Sequence, residues 1–354
     1  MGRQNLCFCG LAETPRSPAG GFELGISAGL QVLPFEQTYL EPAAEIFGRA
    51  YAAQRTLTPS LPPRYDDPSE VLPLIRGLTM KYPAVVALSR GKLVGYLSGM
   101  LLPSFRGSER GVYCPEWGHA ACGESPGSVY DLMYSEISRA WVGEGCLNQA
   151  LTVLTGDRPA LDAWFWLGFG MIVVDAVRGL EAVEPASWTP DAGITVRLAS
   201  PAEGSHLLSI KREHTRYYRE GPIFLPKREP HDAAEVEREL ASPRLRLWVA
   251  EEDGQVIGII KGALEAEEGC QVVRDPLTAS ITGAYVRPAW RRRGAGSLLL
   301  QAMLDWARDS GCARVSVDFE SANLLGRSFW LKRFSPVCYS LFRHVDDRVL
   351  RPDR

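Results

Sequence analysis

Ile281-Thr282-Gly283-Ala284-Tyr285-Val286-Arg287-Pro288-Ala289-Trp290-Arg291-Arg292-Arg293-Gly294-Ala295-Gly296 joins an apolar run to a turn built of arginines and glycines. The run suits a strand that Pro288 stops. Leu299, Met303, Trp306 and Ala307 then recur at helical spacing, which predicts a helix from about Gly294 to Ser310, closed by Gly311. The first N–H groups of a helix have no partner within it and point outward. Gly294 and Gly296 let a ligand approach the backbone, while the helix dipole and Arg291 to Arg293 add positive charge at the same place. Together these features describe a cradle for a pyrophosphate. No Gly-Lys-Ser/Thr ends the turn and no GxGxxG occurs in it, which excludes the two commonest nucleotide loops.

Working outward, the chain repeats itself. Gly91-Lys92-Leu93-Val94-Gly95-Tyr96-Leu97-Ser98-Gly99 and Gly254-Gln255-Val256-Ile257-Gly258-Ile259-Ile260-Lys261-Gly262 share one glycine and apolar pattern. Each follows an apolar strand, Ala84 to Leu88 or Leu245 to Ala250, and each reads as a hairpin with a tight turn. Asp157, Ala160, Trp164, Gly168 and Phe169 are answered in similar order by Asn323, Gly326, Trp330 and Phe334. The expected division is a tail at 1–28, a first copy at 29–182, a Pro-rich and acidic linker at 183–193, a second copy at 194–347 and a tail at 348–354. Each copy reads as strand, helical stretch, hairpin, strand, helix, strand, short helix and final strand. That is an α/β (α+β) fold with helices on a mainly antiparallel sheet.

Arg291-x-x-Gly294-x-Gly296 after Val286-x-Pro288 resembles the coenzyme-binding signature of the GNAT acetyltransferase superfamily, and Asn323 to Phe334 resembles that family's second motif. The resemblance covers most of Ile194 to Asp346 and, more weakly, Leu30 to Leu180. It implies two tandem domains of that fold and acetyl-CoA as co-substrate without a metal. The implied reaction is direct attack of an amine, on a small molecule or a peptide, upon the thioester. Ala284, Tyr285 and Val286 would meet the pantetheine arm and Arg291, Arg292, Arg293, Gly294, Ala295, Gly296 and Ser297 the pyrophosphate, with Asn323 and Trp330 beside them.

The sequence departs from the family where a tyrosine would serve as general acid, since Phe329 and Trp330 stand there. Tyr339 and Tyr285 are replacement hydroxyls, each also readable as a packed aromatic. Ile281 to Ala284 carries no carboxylate, so Asp318 and Glu320, which alternate onto one strand face, and Glu265 are the candidate bases. A non-catalytic module that binds acyl-CoA or a partner is the alternative. His206, His214 and His231 read as an exposed helical face, and Tyr217 and Tyr218 as possible acceptor contacts. In the first copy the corresponding loop, around Ala121 to Met133, has no basic residue and holds Glu124 and Asp131. That copy is therefore expected to brace the other and wall its cleft, with Trp164, Phe165 and Trp166 as packing.

Composition agrees with a soluble chain: of 354 residues, 45% are hydrophobic and 23% charged. A net charge of −3 gives no basic surface for nucleic acid. No apolar run reaches the roughly 20 residues of a membrane span. Eight scattered cysteines with no CxxC suggest reduced thiols in the cytoplasm, and Cys114, His119 and Cys122 lack the paired spacing of a zinc site. Oligomeric state is left open.

Overall fold

The computed structural model describes residues 29–180, 193–264 and 269–350. The expected tail at 1–28 and nearly all of the expected linker lie outside these residues, as do Glu265 and the last four positions. The first half runs β1 (Leu30–Pro34), α1 (Leu40–Leu57), α2 (Pro68–Thr79), β2 (Ala84–Ser89), β3 (Lys92–Ser98), β4 (Met100–Leu102), β5 (Gly111–Cys114), β6 (His119–Ala121), α3 (Pro126–Gly143), β7 (Asn148–Leu154), α4 (Arg158–Trp166) and β8 (Gly170–Gly179). The second runs β9 (Thr195–Leu198), α5 (Gly204–Arg219), α6 (Ala233–Leu240), β10 (Leu245–Glu252), β11 (Gln255–Leu264), β12 (Thr278–Val286), α7 (Ala295–Asp309), β13 (Arg314–Glu320), α8 (Leu324–Trp330) and β14 (Ser335–His344).

The repeat is physical as well as textual. Both hairpins turn on two residues of positive φ, Arg90 (50°) with Gly91 (74°) and Asp253 (50°) with Gly254 (76°). Such pairs match the twist of the strands they join. Each hairpin also slips register at the matching place, Ala87/Leu88 and Ala250/Glu251. The short helices are capped alike: the Asp157 side chain accepts from the Ala160 N–H, and the Asn323 side chain from the Gly326 N–H.

Where the two halves differ is in closure. The halves exchange their final strands reciprocally. β8 of the first half pairs antiparallel with β13 of the second, and β14 of the second pairs antiparallel with β7 of the first. β8 and β14 also pair with each other, which makes a sheet in the order β4-β5-β7-β14-β8-β13-β12-β11-β10-β9. A smaller sheet, β1-β2-β3-β6, arises because the strand of the first half that corresponds to β12 is broken at Pro115, leaving β5 on β7 and β6 on β3. The main helices lie on this framework. α7 buries Leu299, Leu300, Met303, Leu304 and Ala307, and α3 buries Tyr130, Met133, Tyr134, Ile137 and Trp141.

Candidate active site

The site is set by one irregularity in β12. β12 and β13 run parallel and pair only from Thr278 and Arg314 to Ile281 and Val317. At that point β12 also shifts register against β11: Gly262 faces Ile281, Lys261 faces Gly283, and Thr282 bulges between them. A bulge bends its strand and ends local pairing, so β12 and β13 separate beyond it. The Arg287 N–H donates to the Ile257 carbonyl at 2.9 Å on the β11 side. Strand alternation then turns the backbone groups of Ala284 and Val286 toward the opening. There the Val286 carbonyl accepts from Arg291 Nε at 2.9 Å.

The arginine and glycine turn faces the same opening. Arg292 (φ 65°) and Gly294 (φ 94°) both take the left-handed conformation, and Gly294 caps α7. A Cβ at Gly296 would stand 3.4 Å from the Phe329 ring and 3.8 Å from Val286, so the first turn of α7 lies against both. The Ser297 N–H returns to the Gly294 carbonyl at 3.0 Å, which leaves the donors upstream of it to serve an anion. The three arginines divide their work. Arg291 lies over the rings of Tyr217 (5.4 Å) and Tyr285 (5.7 Å), and Arg293 pairs with Glu252, which also accepts from Trp290. Arg292 is exposed. A fourth guanidinium that the sequence reading missed, Arg333, donates to Ser297 Oγ at 3.0 Å and stacks on Phe329. Burial and the nearby Arg178 of β8 pull the pKa of Arg333 down, so positive charge is crowded here.

Two carboxylates stand on the far side of the opening. Glu320 is largely buried, and burial raises its pKa against the opposing pull of Arg106 and Lys227. Arg106 comes from the first half and lies 3.6 Å from Glu320. Asp318 is exposed and pairs across the strands with Asp175, whose buried carboxyl is pushed up to about 7 by burial and then by Asp318. Facing them from α5 are Tyr217 and Tyr218. The Tyr217 hydroxyl donates to the Asn323 side chain at 2.9 Å. Tyr218 is pushed up to about 12 by burial and by Asp318 and Glu320, with Lys227 only 3.9 Å above its ring.

Several expected residues lie elsewhere. Trp330 is buried in the core against Phe334, and Phe329 faces α7 instead, because neighbouring helix positions diverge by about 100°. The same divergence buries Trp164 but leaves Phe165 and Trp166 at 69% and 84% exposure, which corrects their reading as packing. Tyr339 packs on β14 between the two halves. His206 and His231 are exposed as expected. His214 is not: it stacks on Tyr285, and burial with three lysines drives its pKa down to about 3. Its apolar neighbours on the sheet were invisible in the local pattern. His119 Nε2 donates to the Thr152 carbonyl and its Nδ1 faces the Tyr130 hydroxyl, and among the described residues it forms no three-donor group with Cys114 and Cys122. Among the described residues one group, Glu116, Cys270 and Cys338, brings three possible metal donors within 4.8 Å, all buried and drawn from distant segments.

The corresponding end of the first half is built differently. β6 reaches α3 through residues 122–125 only, against 287–294 in the second half. α3 opens on Pro126, which has no N–H to offer an anion.

Comparison with known proteins places this geometry. Residues 207–334 match the family model described as Acetyltransferase (GNAT) family. A GCN5-related N-acetyltransferase from Sphaerobacter thermophilus superposes with a TM-score of 0.55 at 15% identity, over 92% of this chain and 97% of that one. The likeness therefore runs through both halves, as a tandem of GNAT-like folds. A GCN5-related glucosamine N-acetyltransferase region in a fungal multi-domain GH3 β-N-acetylglucosaminidase matches at TM-score 0.49 and 14% identity, over 90% of this chain and 38% of that one. AAC(6')-Iy in complex with the bisubstrate analogue CoA-S-monomethyl-acetylneamine matches at TM-score 0.31 and 21% identity, over 38% of this chain and 86% of that one. No match was found among curated protein sequences. No helix among the described residues is long and apolar enough to cross a membrane.

Proposed function

We propose that the chain transfers an acetyl or short acyl group from acetyl-CoA to a primary amine at a single site in its second half. The observation that carries this is the meeting of the bulged, parting strands β12 and β13 with the N-terminus of α7. A thioester arm can lie along Ala284 and Val286 there while its pyrophosphate meets the turn from Arg292 to Gly296. Displacement of Arg291 from the Val286 carbonyl accompanies entry of the arm. The division into a first domain at 29–182 without a coenzyme site and a working one at 194–347 is part of this reading.

The amine attacks the thioester carbonyl, and backbone groups at the bulge oppose the charge that develops on its oxygen. Glu320 takes the proton of the attacking ammonium, since a carboxyl of raised pKa is a better base near neutrality. Tyr217, held by Asn323, supplies the hydroxyl that α8 lacks and protonates the departing thiolate, in place of Tyr339. A non-catalytic acyl-CoA-binding module is the second reading, favoured by the absence of a tyrosine from α8. The deciding experiment follows release of CoA thiol from acetyl-CoA with a panel of primary amines. Amine-dependent release supports transfer, and tight binding without release on any amine supports the second reading.

A further inference from the structure

A cavity of about 230 Å³ opens beside Thr282 and Gly283, between α5, α6 and the sheet. Its volume falls below the range of drug-sized pockets and suits one small polar group. Among the described residues, the cationic residues on its wall are Lys211, Lys227, Arg228 and Lys261, against two carboxylates, Glu235 and Glu239. Arg228 is neutralised by Glu235. Lys211 and Lys261 share the single carboxylate of Glu239, so that group of three retains one positive charge in a largely buried place. Lys227 lies on the same wall, above the Tyr218 ring. Two further polar atoms are buried there with no hydrogen-bond partner, His214 Nε2 and Thr282 Oγ1. Buried polar atoms left unpaired are costly and call for an occupant that completes them.

Excess positive charge together with two waiting polar atoms describes a seat for an anion. The seat shares Tyr218 and Lys227 with the surroundings of Glu320: both line the cavity, and both lie within electrostatic reach of that carboxylate. We infer that the amine acceptor carries an anionic group, a carboxylate or a phosphate, that sits among Lys211, Lys227, Lys261, His214 and Thr282 while its amine meets Glu320. The inference rests on the reading of the second half as an amine acyltransferase and names its substrate class. It also gives the bulge a second task, since the Thr282 that ends strand pairing offers its hydroxyl to the acceptor.

The test compares primary amines of matched length that end in a carboxylate, a phosphonate or a neutral amide. Thiol release is measured for each, alongside the thermal shift that each gives the CoA-loaded protein. At least one acidic amine is expected to exceed the amide by tenfold or more in kcat/KM, and the better of the two acids identifies the anion. In Lys211→Gln and Lys261→Gln this ratio should fall at least threefold with kcat/KM for the amide unchanged. Equal use and equal thermal shift for acids and amide would overturn the inference, as would a preference that survives in both variants. If acids give the larger thermal shift but no amine is acetylated, the anion seat stands and the acyl-transfer reading fails.

Discussion

Glu320 and Asp175 show how two carboxylates on the neighbouring strands β13 and β8 are set to different tasks. Glu320 sits at the opening with Arg106 and Lys227 near it. Replacing it by Gln should lower kcat/KM by about 10²–10⁴, the ordinary contribution of a general base, with acetyl-CoA binding unchanged. The acid limb of the rate profile, where the wild type loses activity as Glu320 gains a proton, should disappear in that variant. Asp175 faces inward, and its Oδ1 accepts from the Cys270 N–H at 2.9 Å. Its folded pKa of about 7 exceeds the ordinary carboxyl value near 4. Between these values the folded state holds a proton that the unfolded state has lost, so stability declines as pH rises through this window. Asp175→Asn keeps the accepting oxygen and should raise Tm at pH 8 relative to wild type, with no gain at pH 4. Melting curves at the two pH values check this. The arginine and glycine turn was legible because its chemistry is local. Arg333 was not, and Tyr217 was legible only as an acceptor contact, because only folding brings them to Ser297 and Asn323 from other elements.

At the scale of elements, the glycines of the repeated hairpins mark where helices press on strands. A Cβ at Gly95 would lie 2.6 Å from Val129 of α3 and 3.1 Å from the Ala120 carbonyl, and at Gly258 it would lie 3.1 Å from Leu299 of α7. Gly95→Val should therefore cost about 1–3 kcal/mol, the usual penalty of overpacking. It should appear as a lower urea midpoint with an unchanged slope. The repeated glycines and the paired turns could be read from sequence because the pattern recurs, but the helices that Gly95 and Gly258 accommodate come from tens of residues further along the chain. The bulge at Thr282 could not be read there, since a register shift is a relation between two strands. The split of the first half's fourth strand into β5 and β6 had a visible cause in Pro115, but nothing local said that the pieces would join different sheets.

At the scale of the whole molecule, the exchange of β8 and β14 makes each half incomplete without the other. The order of elements in each copy, like period-two patterning, says nothing of which neighbour a final strand selects. Without β8, β13 and β14 would each present an unpaired edge, a known route to aggregation. A fragment of residues 194–354 should thus fail to form a stable monomer, seen as loss of a monomer peak on size exclusion. The full chain should unfold in one cooperative transition. A folded, monomeric fragment would show that the exchanged strands are dispensable. The exchange also accounts for the first half's part in the site, since it carries Arg178 to Arg333 and sets the half bearing Arg106 beside Glu320.

The central claim is one coenzyme per chain, held at the start of α7, and calorimetric titration with acetyl-CoA tests it most directly. The account predicts a stoichiometry of one that is lost in Gly296→Glu. The space around Gly296 admits a side chain by ordinary contact, so that variant should keep its fold while a carboxylate occupies the anion's place. Two sites per chain, no binding, or unaltered binding by Gly296→Glu would contradict it.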